Sequence, residues 1–159
     1  MSPSLGVGAV ARRLGRYRWF GVVGRAYVPL DRLVARLTRG RATALGLPSL
    51  LLTTTGRRSG EPRTQPLLYV ADGDDFIVIG SNWGQTRHPA WTANLLAQPA
   101  AVVDVRGRTV PVRGELVTGE DRDELWALLL RAWPAYATYA DRAGGRELRI
   151  FRLRPAAGG

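Results

Sequence analysis

Residues 101–117 read AVVDVRGRTVPVRGELV, two runs of strand-forming residues set either side of Gly107-Arg108. A two-residue loop of this kind suits a primed turn, so the stretch predicts a tight antiparallel hairpin. A second one lies upstream. PLLYVADGDDFIVIGS (Pro66–Ser81) turns at Asp72–Asp75 between apolar runs, and SLLLTTTG (Ser49–Gly56) reads as a buried strand. ELRIFRL (Glu147–Leu153) closes the chain, for about six strands in all. Helices are expected at Pro89–Ala97 and at Glu120–Trp133, where Leu125, Leu128, Leu129 and Trp133 repeat at helical spacing. A short aromatic segment after Pro134 runs to Asp141. Hairpins outnumber helices and no strand-helix-strand alternation dominates, so the expected fold is α+β or mainly β: a small barrel-like sheet with helices packed outside it.

The chain has 159 residues, one domain's worth, with no cysteine and a formal charge of +10. Thiolate metal sites, disulfides and cysteine nucleophiles are therefore excluded. Every one of the 23 cations is an arginine, which rules out a lysine Schiff base and makes each cation a planar, permanently charged fork. The charge is uneven. Residues 1–63 carry twelve arginines against Asp31 and Glu61, whereas the remainder is balanced, so any anionic partner meets the N-terminal part.

Within residues 12–39 the apolar Trp19, Val23, Tyr27, Leu30, Val34 and Leu37 share one helical stripe, opposite Arg18, Arg25, Arg32, Arg36 and Arg39. Pro29 must kink or divide that helix. Two readings stand side by side: packing on the chain's own domain, or peripheral docking on the inner face of the cell membrane. The arginines interrupt any apolar run, so neither a signal peptide nor a spanning helix is expected; with no cysteine, a cytoplasmic setting is the expectation. The expected division is an amphipathic helical extension over residues 1–45 and a barrel domain over residues 46–155.

Familiar sources of chemistry are missing. One histidine and scattered acids make a metal centre improbable, and no serine stands in a nucleophile elbow. A chain with few reactive side chains but concentrated positive charge implies that a bound cofactor reacts while the protein binds and orients it. TTTGRRSGEPRTQPL (Thr53–Leu67) supplies the anion grip: Gly56 and Gly60 allow a tight turn, and Arg57, Arg58 and Arg63 project forks suited to phosphate or carboxylate. GSNWGQTRHPAWTANLLAQ (Gly80–Gln98) adds a helix start at Pro89, with Trp91 and Asn94 three residues apart.

TTTGRRSGEPRTQPLLYV, GSNWGQTRHPAWTANLLAQP and AWPAYATYADR resemble, in order and spacing, the deazaflavin-dependent nitroreductase family of actinobacterial F420-dependent oxidoreductases, over roughly Leu50–Leu153. The resemblance implies a split β-barrel of the FMN-binding type that holds coenzyme F420, an 8-hydroxy-5-deazaflavin with an oligoglutamate tail. It further implies hydride transfer to a quinone, nitroaromatic or enone acceptor. By the same resemblance Arg57, Arg58, Ser59 and Arg63 hold the tail and phosphate. Thr64, Gln65, Pro66, Leu67 and Leu68 run beside the ring, while Ile79, Gly80, Ser81 and Asn82, with Ala90, Trp91, Thr92, Ala93 and Asn94, line the remainder. Tyr136 and Tyr139 cover the acceptor pocket, Tyr136 as orienting group or proton donor. Departures from the family pattern at Leu68, Thr92 and Trp133 fall on the acceptor side. Two alternatives stay open: a basic nucleic-acid-binding module, although no module signature is present, and an FMN or haem protein on the same barrel.

Overall fold

The computed structural model describes residues 48–157. The amphipathic stretch of residues 12–39 and the expected boundary near residue 45 lie outside them. Seven strands form one antiparallel sheet: β1 (Ser49–Thr55), β2 (Pro62–Leu68), β3 (Val70–Asp72), β4 (Asp75–Ile79), β5 (Ala100–Val105), β6 (Arg108–Leu116) and β7 (Ile150–Pro155). Their order is β2-β1-β5-β6-β7-β4-β3. The two edge strands are consecutive in the chain, with only Tyr69 between them. Laid flat, seven strands would hold those edges roughly 29 Å apart, whereas one intervening residue spans at most about 7 Å. The sheet must therefore curl until its edges meet. No ladder joins β2 to β3, so the barrel is split along that seam.

Both expected hairpins are present, with one correction. Asp72 pairs with Asp75 across the first, but in the second Val105 pairs with Arg108, which makes Arg106-Gly107 the loop, one residue earlier than expected. Both loop residues have positive φ, 49° and 76°, the condition of a type I′ turn. The strand count also rises from six to seven. PRTQPLL was expected as turn and strand start, yet Pro62–Leu68 pairs residue for residue with β1. Two prolines are tolerated there because β2 is an edge strand.

Apolar residues fill both faces of β4. Phe76 and Val78 point into the barrel with Leu50, Leu52, Val103, Val105, Val112, Phe151 and Leu153. Ile77 and Ile79 point outward, beneath α2 (Gly119–Ala132) and α3 (Ala135–Arg142), against Leu125, Leu129, Trp133, Tyr136 and Tyr139. This explains the unbroken apolar run FIVI, since a strand buried on both faces has no polar alternation. Helix α1 (Ala90–Ala97) seals the barrel with Trp91 and Leu95. The acids of the β3–β4 turn are structural: Arg152 Nη1 lies 2.8 Å from Asp72 and 2.9 Å from Asp75, and these bonds raise the arginine's pKa. Among the described residues no helix is long and apolar enough to cross a membrane.

Candidate functional site

The arginine turn is the β1–β2 hairpin loop. Gly56 N–H donates to the Glu61 carbonyl and Gly60 N–H to the Gly56 carbonyl, both at 2.8 Å, while Glu61 N–H donates to Ser59 Oγ at 3.2 Å. A side chain at residue 56 would collide with Ser59, since a Cβ there falls 2.5 Å from its Oγ. Glycine thus sets the tightness of the turn. Arg57, Arg58 and Ser59 are exposed at its tip. Arg63 sits on β2 and approaches Glu61 at 3.6 Å, with both side chains mostly in water, a pairing worth under about 1 kcal/mol. Among the described residues the guanidiniums of Arg57 and Arg58 have no partner.

Asn94 turns out to fix this loop. It is 5 % exposed on α1, its Oδ1 accepts from Arg57 N–H at 3.1 Å, and its Nδ2 donates to Thr54 Oγ1 at 3.1 Å. One buried amide thereby joins helix, strand and turn. Replacing Asn94 with leucine removes both bonds and strands the buried Thr54 hydroxyl together with the partly buried Arg57 N–H, a loss of about 2 kcal/mol. We expect a lowered denaturation midpoint with an unchanged m-value, read by urea titration; an unaltered midpoint would refute the bridge.

On β2, Thr64 Oγ1 meets Thr53 Oγ1 at 2.7 Å. Gln65 is half-buried, and its Nε2 is enclosed without an acceptor. Pro66, Leu67 and Leu68 are half-buried. Leu67 packs on the barrel-interior cluster, Leu68 on the cluster under α2 and α3.

Beyond β4, Gly80 lies against α1, where a Cβ would be 2.7 Å from Thr92 Cγ2. Ile79 and Thr92 are buried, Ser81 and Asn82 half-buried, Ala93 half-buried and Ala90 exposed. Thr92 Oγ1 donates to the Pro89 carbonyl at 2.9 Å. Trp91, expected as an aromatic wall, stands in the barrel core with its ring centroid 5.6 Å from that of Phe151. Pro89 is the residue just before α1 rather than its first.

Tyr136 and Tyr139 are 5 % and 1 % exposed and meet edge to face at 6.2 Å. Trp83 packs on Tyr139 at 5.8 Å, from a one-turn 3₁₀ segment, Asn82–Gly84. Gly84 has φ +77° with Tyr139 backbone atoms 3.0 Å from any Cβ placed there, so glycine is required. Burial drives the Tyr136 phenol far above its ordinary pKa. For Tyr139 burial also dominates, and despite opposing effects of Trp133 and Arg142 the pKa is pushed up to about 12. Leu68 and Trp83 border the same cluster.

Sequence reasoning passed over Arg146. Its guanidinium donates to the carbonyls of Gly80 (2.9 Å), Ser81 (2.8 Å) and Gln85 (2.9 and 3.0 Å), clamping the loop that carries several expected site residues. Apart from His88 Nδ1, 3.3 Å from its Nη1, its partners are backbone carbonyls, so no residue pattern announces it.

Residues 31–155 match the family described as F420H(2)-dependent quinone reductase. The F420H(2)-dependent quinone reductase Rv1261c of Mycobacterium tuberculosis is 38 % identical over 84 residues, covering 52 % of this chain and 56 % of its own. The match thus spans about half the length of that relative. Rv3178 of the same organism is 34 % identical over 111 residues, 69 % of this chain and 91 % of that one. Among solved structures, an F420-H2 dependent reductase (FDR-A) superimposes with a TM-score of 0.62 at 31 % identity, covering 67 % of this chain and 94 % of the other.

Proposed function

Since the chain belongs to the F420H(2)-dependent quinone reductase family, we propose that it is an oxidoreductase that binds reduced coenzyme F420 and delivers its hydride to a quinone. The observation carrying this reading is the pair of exposed guanidiniums at Arg57 and Arg58, unpartnered among the described residues and presented on a turn that Asn94 ties to the barrel. An oligoglutamate tail supplies the carboxylates that the turn lacks.

The residues present fit the deazaflavin. Among the described residues the Gly56 turn leaves Arg57 and Arg58 outside any ion pair, and Gln65 Nε2 is an enclosed donor without an acceptor, suited to a ring carbonyl or phosphate. When bound, the reduced deazaflavin supplies a hydride as a two-electron carrier. Arg57, Arg58, Ser59 and Arg63 would hold its tail and phosphate, and Thr64–Leu68, Gly80–Asn82 and the exposed start of α1 would hold the rest of it. Asn94 acts as a positioning residue, because both of its polar atoms already serve the turn.

Tyr136 and Tyr139 serve the acceptor side. With phenol pKa values raised by burial, both stay protonated and can donate a hydrogen bond to oxyanion character growing on a reduced carbonyl. Proton transfer is disfavoured, since such phenols are weaker acids than a quinol near the ordinary phenol value of about 10. Of the two roles expected for Tyr136, orientation is the better supported. Nitroaromatics and activated enones are further acceptors on this side of the barrel, where Leu68 and Trp83 pack against the tyrosine cluster. The arginine-studded stripe within residues 12–39 supports peripheral membrane contact, which would bring the enzyme to lipid-dissolved quinones.

The test is ligand choice. We expect saturable quenching of F420 fluorescence, weakened when the glutamate tail is shortened, and reoxidation of the reduced cofactor upon addition of a menaquinone analogue. Retention of FMN or haem after desalting, with no response to F420, would overturn the reading.

A further inference from the structure

A second concentration of cations lies beside the 80–88 loop. A cavity of about 220 Å³ is bordered by His88, Thr118, Arg122, Arg146, Glu147 and Arg149. Three permanent cations face one carboxylate there, and that carboxylate is weakly held: Glu147 is 75 % exposed, 3.2 Å from Arg122 Nε. Arg122 also donates through Nη2 to the Leu148 carbonyl at 3.0 Å, which fixes its position. Arg146 spends its donors on loop carbonyls and contributes field rather than bonds. Arg149 is different. Its hydrogen bond among the described residues runs from Nη1 to Thr92 Oγ1 at 3.1 Å, so most of its fork is unused.

His88 completes the donor set. Its Nδ1 stands 3.3 Å from Arg146 Nη1. A guanidinium can only donate, so Nδ1 is the acceptor and the neutral ring carries its proton on Nε2. Burial, Arg149 and Arg146 all hold the ring neutral. The residues lining the cavity therefore include N–H donors on Arg149, Arg122 and His88, with Thr118 a hydroxyl that donates or accepts and Glu147 the one carboxylate, exposed enough to swing clear.

The geometry points to a second anion site, in which Arg149, Arg122 and His88 Nε2 bind a small oxyanion, a phosphate or carboxylate group. It goes beyond the cofactor reading and does not depend on it. The size suits a single such group with its near substituents, and the chemistry does not distinguish the two sources. His88 is the chain's only histidine, so its imidazole gives one unambiguous set of NMR signals. The full chain, isotopically labelled and held at constant ionic strength, is titrated with inorganic phosphate and, separately, with succinate.

We expect a saturable shift of the His88 ring signals and a rise in the pKa of His88, because a bound anion favours imidazolium and offsets the burial and the fields of Arg149 and Arg146 that hold the ring neutral. Saturation by one titrant and not the other identifies the source. Arg122→Gln and Arg149→Gln should each weaken binding at least tenfold, with Arg149→Lys retaining part of it and the amide spectrum showing an intact fold. Ring signals unmoved up to tens of millimolar of both anions, or responding in the same way to sodium chloride, or saturating identically in both glutamine variants, would overturn the site. Since no cofactor is added, such a failure leaves the assignment of the Arg57 turn untouched.

Discussion

Replacing Arg57 and Arg58 together with alanine raises the dissociation constant for F420 by roughly thirty-fold or more, with the melting temperature unchanged. A hydrogen bond to a charged group is worth about 1–3 kcal/mol, and every 1.4 kcal/mol is tenfold in affinity. Stability is spared because both side chains are exposed and unpartnered among the described residues, and such substitutions usually shift stability by under about 0.5 kcal/mol. The backbone anchor survives, since Asn94 accepts from the Arg57 N–H and not from its side chain. Arg63→Ala should weaken binding less, as Arg63 already shares its charge with Glu61. Fluorescence titrations with full-length and tail-shortened cofactor separate the effects. The double variant should lose most of the preference for the longer tail. An unchanged constant in the double variant would show that the turn does not grip the cofactor.

The barrel was legible where local chemistry and pattern agreed. The Asp72–Asp75 turn and the apolar runs around it read directly, and of the helical stripe Leu125, Leu128, Leu129 and Trp133, Leu125 and Leu129 are buried on α2, Leu128 is half-buried, and Trp133 is buried as the residue that ends the helix. The β5–β6 loop was misplaced by one residue because Arg106 adopts φ 49°, a conformation that arginine composition gives no reason to expect. Strand β2 escaped notice because PRTQPLL has neither alternation nor β-branched content apart from Thr64. Its pairing with β1 is decided by the short hairpin and by an edge position that forgives proline. At the site, the arginine turn was visible as charge without a counter-charge. Asn94 was singled out for its place on α1, but its bonds run to Thr54 and Arg57, forty and thirty-seven residues distant, and only the folded chain creates them. Tyr136 and Tyr139 were legible as an aromatic pair. Their depth was not, because PAYATY looks the same whether it roofs a pocket or packs beneath α2.

Arg146→Met should lower stability by about 3 kcal/mol and the melting temperature by roughly 10 °C. Methionine replaces the apolar stem, so the loss falls on the four bonds to the carbonyls of Gly80, Ser81 and Gln85. Those bonds matter because the loop holds two non-glycine residues in the left-handed region, Asn82 at φ 45° and Trp83 at φ 55°, a conformation that costs about 1–3 kcal/mol per residue and persists only where surroundings enforce it. Loosening should be local first. The amides of Gly84 and Gln85, bonded to the Ser81 and Asn82 carbonyls at 2.9 and 3.0 Å, should exchange with solvent faster than those of β1 or β5, in line with opening of the loop below the global unfolding energy. Trp83 would then leave the face of Tyr139, altering tryptophan emission. On the proposed reading, in which Gly80–Asn82 lies beside the cofactor and Arg146 does not, F420 affinity should fall as well, through disorder in the loop. Arg146→Lys should restore little, since one ammonium cannot span three carbonyls as a planar fork does. Equal protection of Gly84 and Gln85 in variant and parent, at unchanged melting temperature, would mean that the loop holds its shape without this guanidinium.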